Sequence, residues 1–158
     1  MAAPAKEWVL LAYRLPREPS TPRISVWRKL RRLGALQIVD GLVTLPRDSR
    51  TQEQLEWLAD EILEAGGEAS LWLGAPGTRA QARALAARMA ERAAAEYRAV
   101  TEAAREGRRK EASDRRRTLA RLRRALASIR TRDFFPPPER AEAERAVEEL
   151  ASLVEVGA

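Results

Sequence analysis

The dipeptide Asp40-Gly41, between two short apolar runs, constrains the fold of this chain more than any other feature of its sequence. The two runs cover residues 35–39 and 42–45. An Asp-Gly pair in such a setting is typical of a type I′ turn, which joins two antiparallel strands in a tight hairpin. The patterns on either side must therefore add to a sheet that this hairpin begins.

A strand and a helix precede the hairpin. The apolar run 8–13 predicts a buried strand. Ser20 and Thr21 before Pro22 predict the start of a helix, because a hydroxyl residue caps the first amides and proline suits the first turn. Gly34 ends this helix. Its inward positions are expected to be Val26, Trp27, Leu30 and Leu33.

A second helix and a fourth strand follow the hairpin. Thr51-Gln-Glu-Gln54 predicts a capping box at the start of the helix, Gly66-Gly67 ends it, and 69–73 predicts a strand. Its inward positions are expected to be Leu55, Trp57, Leu58, Ile62 and Leu63. The order β-α-β-β-α-β predicts an α+β fold with a ferredoxin-like unit over 1–75, an antiparallel sheet with two helices on one face.

Beyond Pro76 the sequence reads as helix throughout. The spacing of apolar residues predicts helices over 78–107, 113–130 and 139–154. The segment Phe134-Phe-Pro-Pro-Pro138 turns the chain between the last two, which predicts an antiparallel helical hairpin. This extension, 76–158, is expected to pack on the first unit.

The excess positive charge lies in one part of the chain. Lys and Arg total 29 against 23 Asp and Glu, and 26 of the 29 are arginine. Residues 1–75 have no net charge, 76–133 carry +10 and 134–158 carry −4. A GC-rich coding sequence also enriches arginine, but it does not explain this clustering. The charge predicts attraction to a polyanion such as nucleic acid.

Two helices carry the candidate nucleic-acid- or anion-binding residues. Five cations without an acid surround the apolar stripe of the first helix, and further arginines lie opposite or beside the seam of the helix predicted over 113–130. The candidates are Arg23, Arg28, Lys29, Arg31, Arg32, Arg116, Arg117, Arg121 and Arg124. A solvated helix face has the same pattern. The acidic last helix could also neutralise part of the surface, through Glu142, Glu144, Glu148 and Glu149.

The composition argues against an enzyme. Histidine and cysteine are absent, which excludes Ser-His-Asp triads, cysteine nucleophiles, disulfides and zinc sites of imidazole or thiolate. Arg14 ends the first strand, where a magnesium nuclease on this type of unit needs a carboxylate. We expect no catalytic residue, metal or cofactor. The longest apolar run has six residues and no basic leader precedes it, so we expect a cytoplasmic protein without a membrane partner.

Five stretches resemble the N-terminal region of ChrB-type chromate-resistance proteins. They are 8–20, 22–35, 54–58, 66–72 and 132–136. The resemblance implies a chromate-responsive regulator that binds promoter DNA of a chromate-efflux operon, and it supports the cations of the first helix as anion contacts. Members often carry a C-terminal domain associated with chromate resistance, which these 158 residues do not include. A standalone paralogue, a truncated chain and one half of a split regulator each account for this.

The leading prediction is a DNA-binding regulator that contacts phosphate through arginines of the two helices. By analogy with other ferredoxin-like units, we expect the partner to be a second copy of the chain or a separate sensor domain. Two alternatives stay open. One is a sensor of a small oxyanion such as chromate, bound by clustered arginines near the helix start at Thr21. The other is an adaptor that binds an acidic protein.

Overall fold

A computed structural model describes residues 7–157, and in this range the predicted α+β class is confirmed. The elements are β1 Trp8–Arg14, α1 Thr21–Leu33, β2 Leu36–Val39, β3 Leu42–Pro46, α2 Ser49–Glu64, β4 Glu68–Gly74, α3 Arg79–Gly107, α4 Ala112–Arg130 and α5 Glu139–Val156. The chain divides into two compact units, residues 1–86 and 87–158.

The sheet of the first unit is antiparallel, with strand order β2-β3-β1-β4. Val9 of β1 lies opposite Leu45 of β3 and Leu73 of β4, which places the three side chains in one row. Helix α2 packs against β1 and β4, and α1 packs beside α2. The arrangement is consistent with the predicted ferredoxin-like unit.

Local signals place the ends of α1 where they were expected. Pro22 lies in the first turn, and Gly34 ends the helix with a φ of 80°, a left-handed conformation that glycine adopts at little cost. The cap of α2 lies earlier than predicted. Its N-cap is Asp48, whose Oδ1 accepts from the Thr51 amide at 2.7 Å, while Thr51 Oγ1 accepts from the Asp48 amide at 2.9 Å. Asp48 is favoured as the N-cap because its carboxylate accepts a hydrogen bond from an amide that the first turn of the helix leaves unpaired.

Three apolar residues predicted to face inward are exposed. On α1 the buried positions are Val26 and Leu30, while Trp27 is more than half exposed. On α2 the buried positions include Leu58, whereas Trp57 and Leu63 are exposed. Each helix buries only a narrow stripe, so apolar residues beside that stripe reach solvent.

Three helices form the core of the second unit. Residues of α3, α4 and α5 share one buried apolar cluster, which includes Tyr97, Leu122 and Leu150. Gly107, the last residue of α3, is buried where the helices come close: a Cβ there would lie 3.0 Å from Thr118 Cγ2 and 3.3 Å from Leu150 Cδ2. Glycine therefore allows a close helix approach, in addition to ending α3.

None of the helices in the described range combines the length and the apolar character that a membrane crossing requires.

Candidate nucleic-acid interface

Helix α4 separates a buried seam from a cationic face. Thr118, Leu119, Leu122, Leu126 and Ile129 are buried, and α4 packs directly against α5. Arg117, Arg121 and Arg124 lie on the other side, within about 60° of one another at 3.6 residues per turn. All three are exposed. The spacing that buries the seam thus also gathers these arginines on the solvent side.

The cationic face of α4 lines an open groove of about 560 Å³. Its lining residues are Lys110, Asp114, Arg117, Thr118, Ala120, Arg121 and Arg124. Four cations therefore face one carboxylate. That carboxylate, on Asp114, is 3.4 Å from Arg117 Nη2, and the Arg117 side chain stays 80% exposed. Within the described residues, the side chains of Arg121 and Arg124 have no hydrogen bond or ion pair.

Arg116, the remaining candidate on α4, lies outside this groove. It is exposed and has no ionic partner in the described part of the chain. At about 100° per residue it falls roughly a quarter-turn from Arg117, which separates it from the groove. Arg116 therefore adds charge to α4 without sharing the surface formed by the other three.

The glutamates of α5 that form ion pairs do so away from this groove. Glu139 pairs with Arg98 at 2.9 Å, Glu142 with Arg105 at 3.1 Å and Glu149 with Arg108 at 3.3 Å. These three arginines belong to α3. Because their numbers rise together with those of the glutamates, α3 and α5 run in the same direction. The acidic helix thus neutralises mainly α3.

Near the turn between α4 and α5, Glu144 forms ion pairs with two arginines. Arg130 at the end of α4 lies 2.9 Å from it, and Arg140 of α5 lies 3.1 Å from it. The hydrogen bond from Arg130, and then that from Arg140, hold the pKa of Glu144 below its usual value against an opposing effect of burial. Arg130 is thereby the one arginine of α4 that a glutamate of α5 neutralises in the described structure.

The five cations of α1 are all exposed but do not form one cluster. Lys29 is paired with Glu61 of α2 at 2.7 Å. The guanidinium of Arg31 lies 4.9 Å from the ring centroid of Trp27, a cation–π contact. Arg28 and Arg32, one turn apart, have neither an ion pair nor a hydrogen bond from their side chains in the described range.

Arg23, the first cation of α1, lines a different groove, of about 710 Å³. The other lining residues are Tyr13, Arg14, Leu15, Ser20, Ile24, Trp27, Gln37, Asp40 and Gly41. Burial, with a further contribution from Asp40, raises the pKa of Tyr13, while Arg23 opposes the shift. Arg14 is engaged by Glu68 at 2.9 Å. The groove therefore combines cations and aromatic rings with one opposing carboxylate.

Sequence reasoning missed a buried polar cluster that joins α3 to the turn before α5. The Tyr97 hydroxyl donates to Asp133 Oδ2 at 2.8 Å, and Arg140 Nη1 lies 3.6 Å from the same oxygen. The Asp133 side chain is fully buried, and its other oxygen has no hydrogen-bond partner among the residues that the structure describes. Burial, and then the bond to Asp133, raise the pKa of Tyr97. Neighbouring Arg132 pairs with Glu96 of α3. The sequence feature that could have pointed to this cluster was the segment 132–136, one of the five stretches on which the family resemblance rests.

The family to which the chain belongs follows from a comparison of its sequence with family models. Residues 23–156 match the model described as "Protein ChrB, N-terminal", which covers most of the chain, including α4 and the part of α1 from Arg23 onward. The chain belongs to this family. The predicted resemblance is thus confirmed, and the match includes the polar cluster around Asp133.

A curated relative agrees with this assignment. The chain is 32% identical over 72 residues to "Protein ChrB" of Cupriavidus metallidurans (strain ATCC 43123 / DSM 2839 / NBRC 102507 / CH34). The aligned segment is 46% of this chain and 22% of the relative, so most of the ChrB sequence lies outside the match. No solved structure matches the chain significantly.

Proposed function

We propose that this protein is a DNA-binding transcriptional regulator of chromate resistance, and not an enzyme. The observation that carries the proposal is the cationic groove of α4. Among its described lining residues, Asp114 is the one carboxylate beside Lys110, Arg117, Arg121 and Arg124. Guanidinium groups without a strong internal partner are available for bidentate bonds to phosphate. The family membership supports the link to chromate resistance.

The pairing pattern of the second unit supports an external anion as the partner of this groove. Glutamates of α5 pair with three arginines of α3, and in the described range Arg117 and Arg130 are the α4 arginines that form ion pairs. An array of fixed cations attracts a polyanion at long range and releases condensed counterions on binding. Arg28 and Arg32 of α1 offer further contacts of the same kind.

The binding of DNA from the region upstream of the protein's own gene tests the proposal. A labelled duplex is titrated by fluorescence anisotropy between about 50 and 200 mM salt, the range over which phosphate contacts lower affinity steeply. A duplex of scrambled sequence is the control, and each titration is repeated with chromate. We expect salt-dependent binding, a preference for the upstream duplex and weaker binding with chromate. Absence of binding to either duplex at low salt would refute the proposal.

The groove beside the start of α1 favours a second candidate, the binding of a small oxyanion such as chromate. Arg23 and the hydroxyl groups of Ser20 and Tyr13 line one space, and Ser20 makes no side-chain capping bond. Asp40, in the same wall, opposes a dianion. Calorimetric titration with chromate and sulfate, on the wild type and Arg23→Ala, tests the idea. Heat of binding that Arg23→Ala abolishes supports it, and no heat with either anion refutes it.

A further inference from the structure

The two edges of the sheet differ in how well they are protected. β2, at one edge, has four residues and an irregular register between Gln37 and Val39. Short, bulged edge strands of this kind resist pairing with another chain. β4, at the other edge, has seven residues that pair with β1 in unbroken register from Glu68 to Gly74. The structure thus protects one edge and leaves the other regular.

β4 also lacks the side chains that discourage edge pairing. Its residues 69–74 contain no charge and no proline. The one charged residue, Glu68, is engaged by Arg14 of the neighbouring strand at 2.9 Å. Trp72 is 62% exposed and Leu73 is 47% exposed. Within the described residues, backbone hydrogen bonds of β4 to another strand go only to β1. A long, regular, apolar edge with unpaired backbone groups is a template for a further strand.

We propose that β4 pairs antiparallel with β4 of a second copy of this chain, which joins the two sheets into one of eight strands. A two-fold axis normal to the sheet keeps corresponding side chains on the same face. Directly opposed residues must then be an even number of positions apart, because side chains alternate between faces along a strand. Pairing of all seven residues places the axis at Leu71. In this register Ser70 lies opposite Trp72 of the other copy, and Ala69 lies opposite Leu73.

The chemistry of β4 suits pairing with itself. Glu68 falls opposite Gly74 of the other copy, so no like charges meet across the strands. The Trp72 Nε1 already donates to Ser70 Oγ at 2.9 Å, so the ring can be covered without leaving its donor unpaired. Residues 1–75 carry no net charge, and two copies therefore meet through the part of the chain that does not repel itself. These features favour a second copy of this chain as the partner of the β4 edge.

Sedimentation velocity of the full chain tests the proposal. The wild type is expected to sediment as a dimer at micromolar concentration. The double variant Trp72→Lys/Leu73→Lys should be monomeric, because it places charges along the edge. Val39→Lys is the matched control, since Val39 is 59% exposed but lies on β2, and it should stay dimeric. Circular dichroism checks that each variant is folded. A monomeric wild type, or a double variant that stays dimeric, would overturn the proposal.

Disulfide formation tests the register, since the chain has no cysteine of its own. Leu71→Cys places two thiols opposite each other at the axis, where opposed Cα atoms are about 4.5–5.5 Å apart, within the range of a disulfide. Ser70→Cys places its two thiols on opposite sides of the axis, beyond about 7 Å between Cα atoms. Mild oxidation should link the first variant and not the second. Linking of the Ser70→Cys variant but not of the Leu71→Cys variant would contradict the register, and linking of neither would contradict the pairing.

Discussion

Removal of the three arginines of the α4 face should flatten the salt dependence of DNA binding. The perturbation is the triple variant Arg117→Ala/Arg121→Ala/Arg124→Ala. Each phosphate contact adds about 0.9 to the slope of log affinity against log salt, so three contacts add about 2.7. Between about 50 and 200 mM salt, the wild type should therefore lose roughly 40-fold more affinity than the variant.

The assay is fluorescence anisotropy with one labelled duplex, titrated at four or more salt concentrations. The triple variant Arg98→Ala/Arg105→Ala/Arg108→Ala is the matched control. It removes the same charge from arginines that glutamates of α5 already engage, so its slope should stay close to that of the wild type. Replacement of the three α4 arginines by lysine should retain most of the slope, since each lysine keeps the positive charge.

Two results would refute the reasoning. An unchanged slope in the α4 variant would mean that these arginines make no phosphate contact. An equal decrease in the α3 control would mean that net charge, and not the exposed arginine face of α4, governs binding. Loss of fold does not confuse the outcome, because the three replaced side chains are exposed and alanine favours a helix.

Two further predictions concern the stability of each unit. The raised pKa of Tyr97 means that the folded chain keeps a proton that the unfolded chain releases near pH 10, so stability should fall above pH 10 by up to about 1.4 kcal/mol per pH unit. Tyr97→Phe should weaken this pH dependence and lower the free energy of unfolding at pH 7 by about 1–3 kcal/mol, since it leaves Asp133 without its donor. Urea unfolding of the wild type and the variant, at pH 7 and above pH 10, checks this. An equal loss of stability above pH 10 in the wild type and the variant would contradict it. Gly67→Ala should destabilise more than Gly66→Ala in thermal unfolding. A Cβ at Gly67 would lie 2.4 Å from the Arg14 carbonyl oxygen, whereas a Cβ at Gly66 would meet no described atom within 4 Å and would carry only the strain of its φ of 83°. The reverse order would contradict the packing at this turn.

The sequence predicted the order of elements better than their inward faces. Asp40-Gly41 and Gly34 act through local backbone geometry, and the elements they separate are found where they were expected. Trp27 and Trp57 have helical spacing relative to buried residues, yet both are exposed. Periodicity identifies a helix but does not tell how wide a stripe its neighbours cover, because that width depends on packing.

For the candidate site, too, the sequence predicted some features correctly and others not. Charge counting located the cationic helix, and the nine predicted residues are exposed, but they lie on separate surfaces. Lys29 and Arg31 have partners on α2 and α1, and Arg23 lines its own groove. No charge pattern in the sequence around Asp133 distinguished this buried carboxylate from an acid on the surface. Burial of a single polar residue is set by distant parts of the chain.

By itself, the sequence determined the strand-helix order, the absence of histidine and cysteine chemistry, and the segment that carries the positive charge. These follow from local backbone preferences and from composition, which do not depend on how the elements meet. The tertiary structure decided which arginines the acidic helix engages. In the described structure, three of the four ion pairs that α5 glutamates form with another helix go to α3. Arg121 and Arg124 of α4 are exposed and have no ion pair within the described residues. Ion pairing depends on distances across helices, and only the folded chain sets those distances.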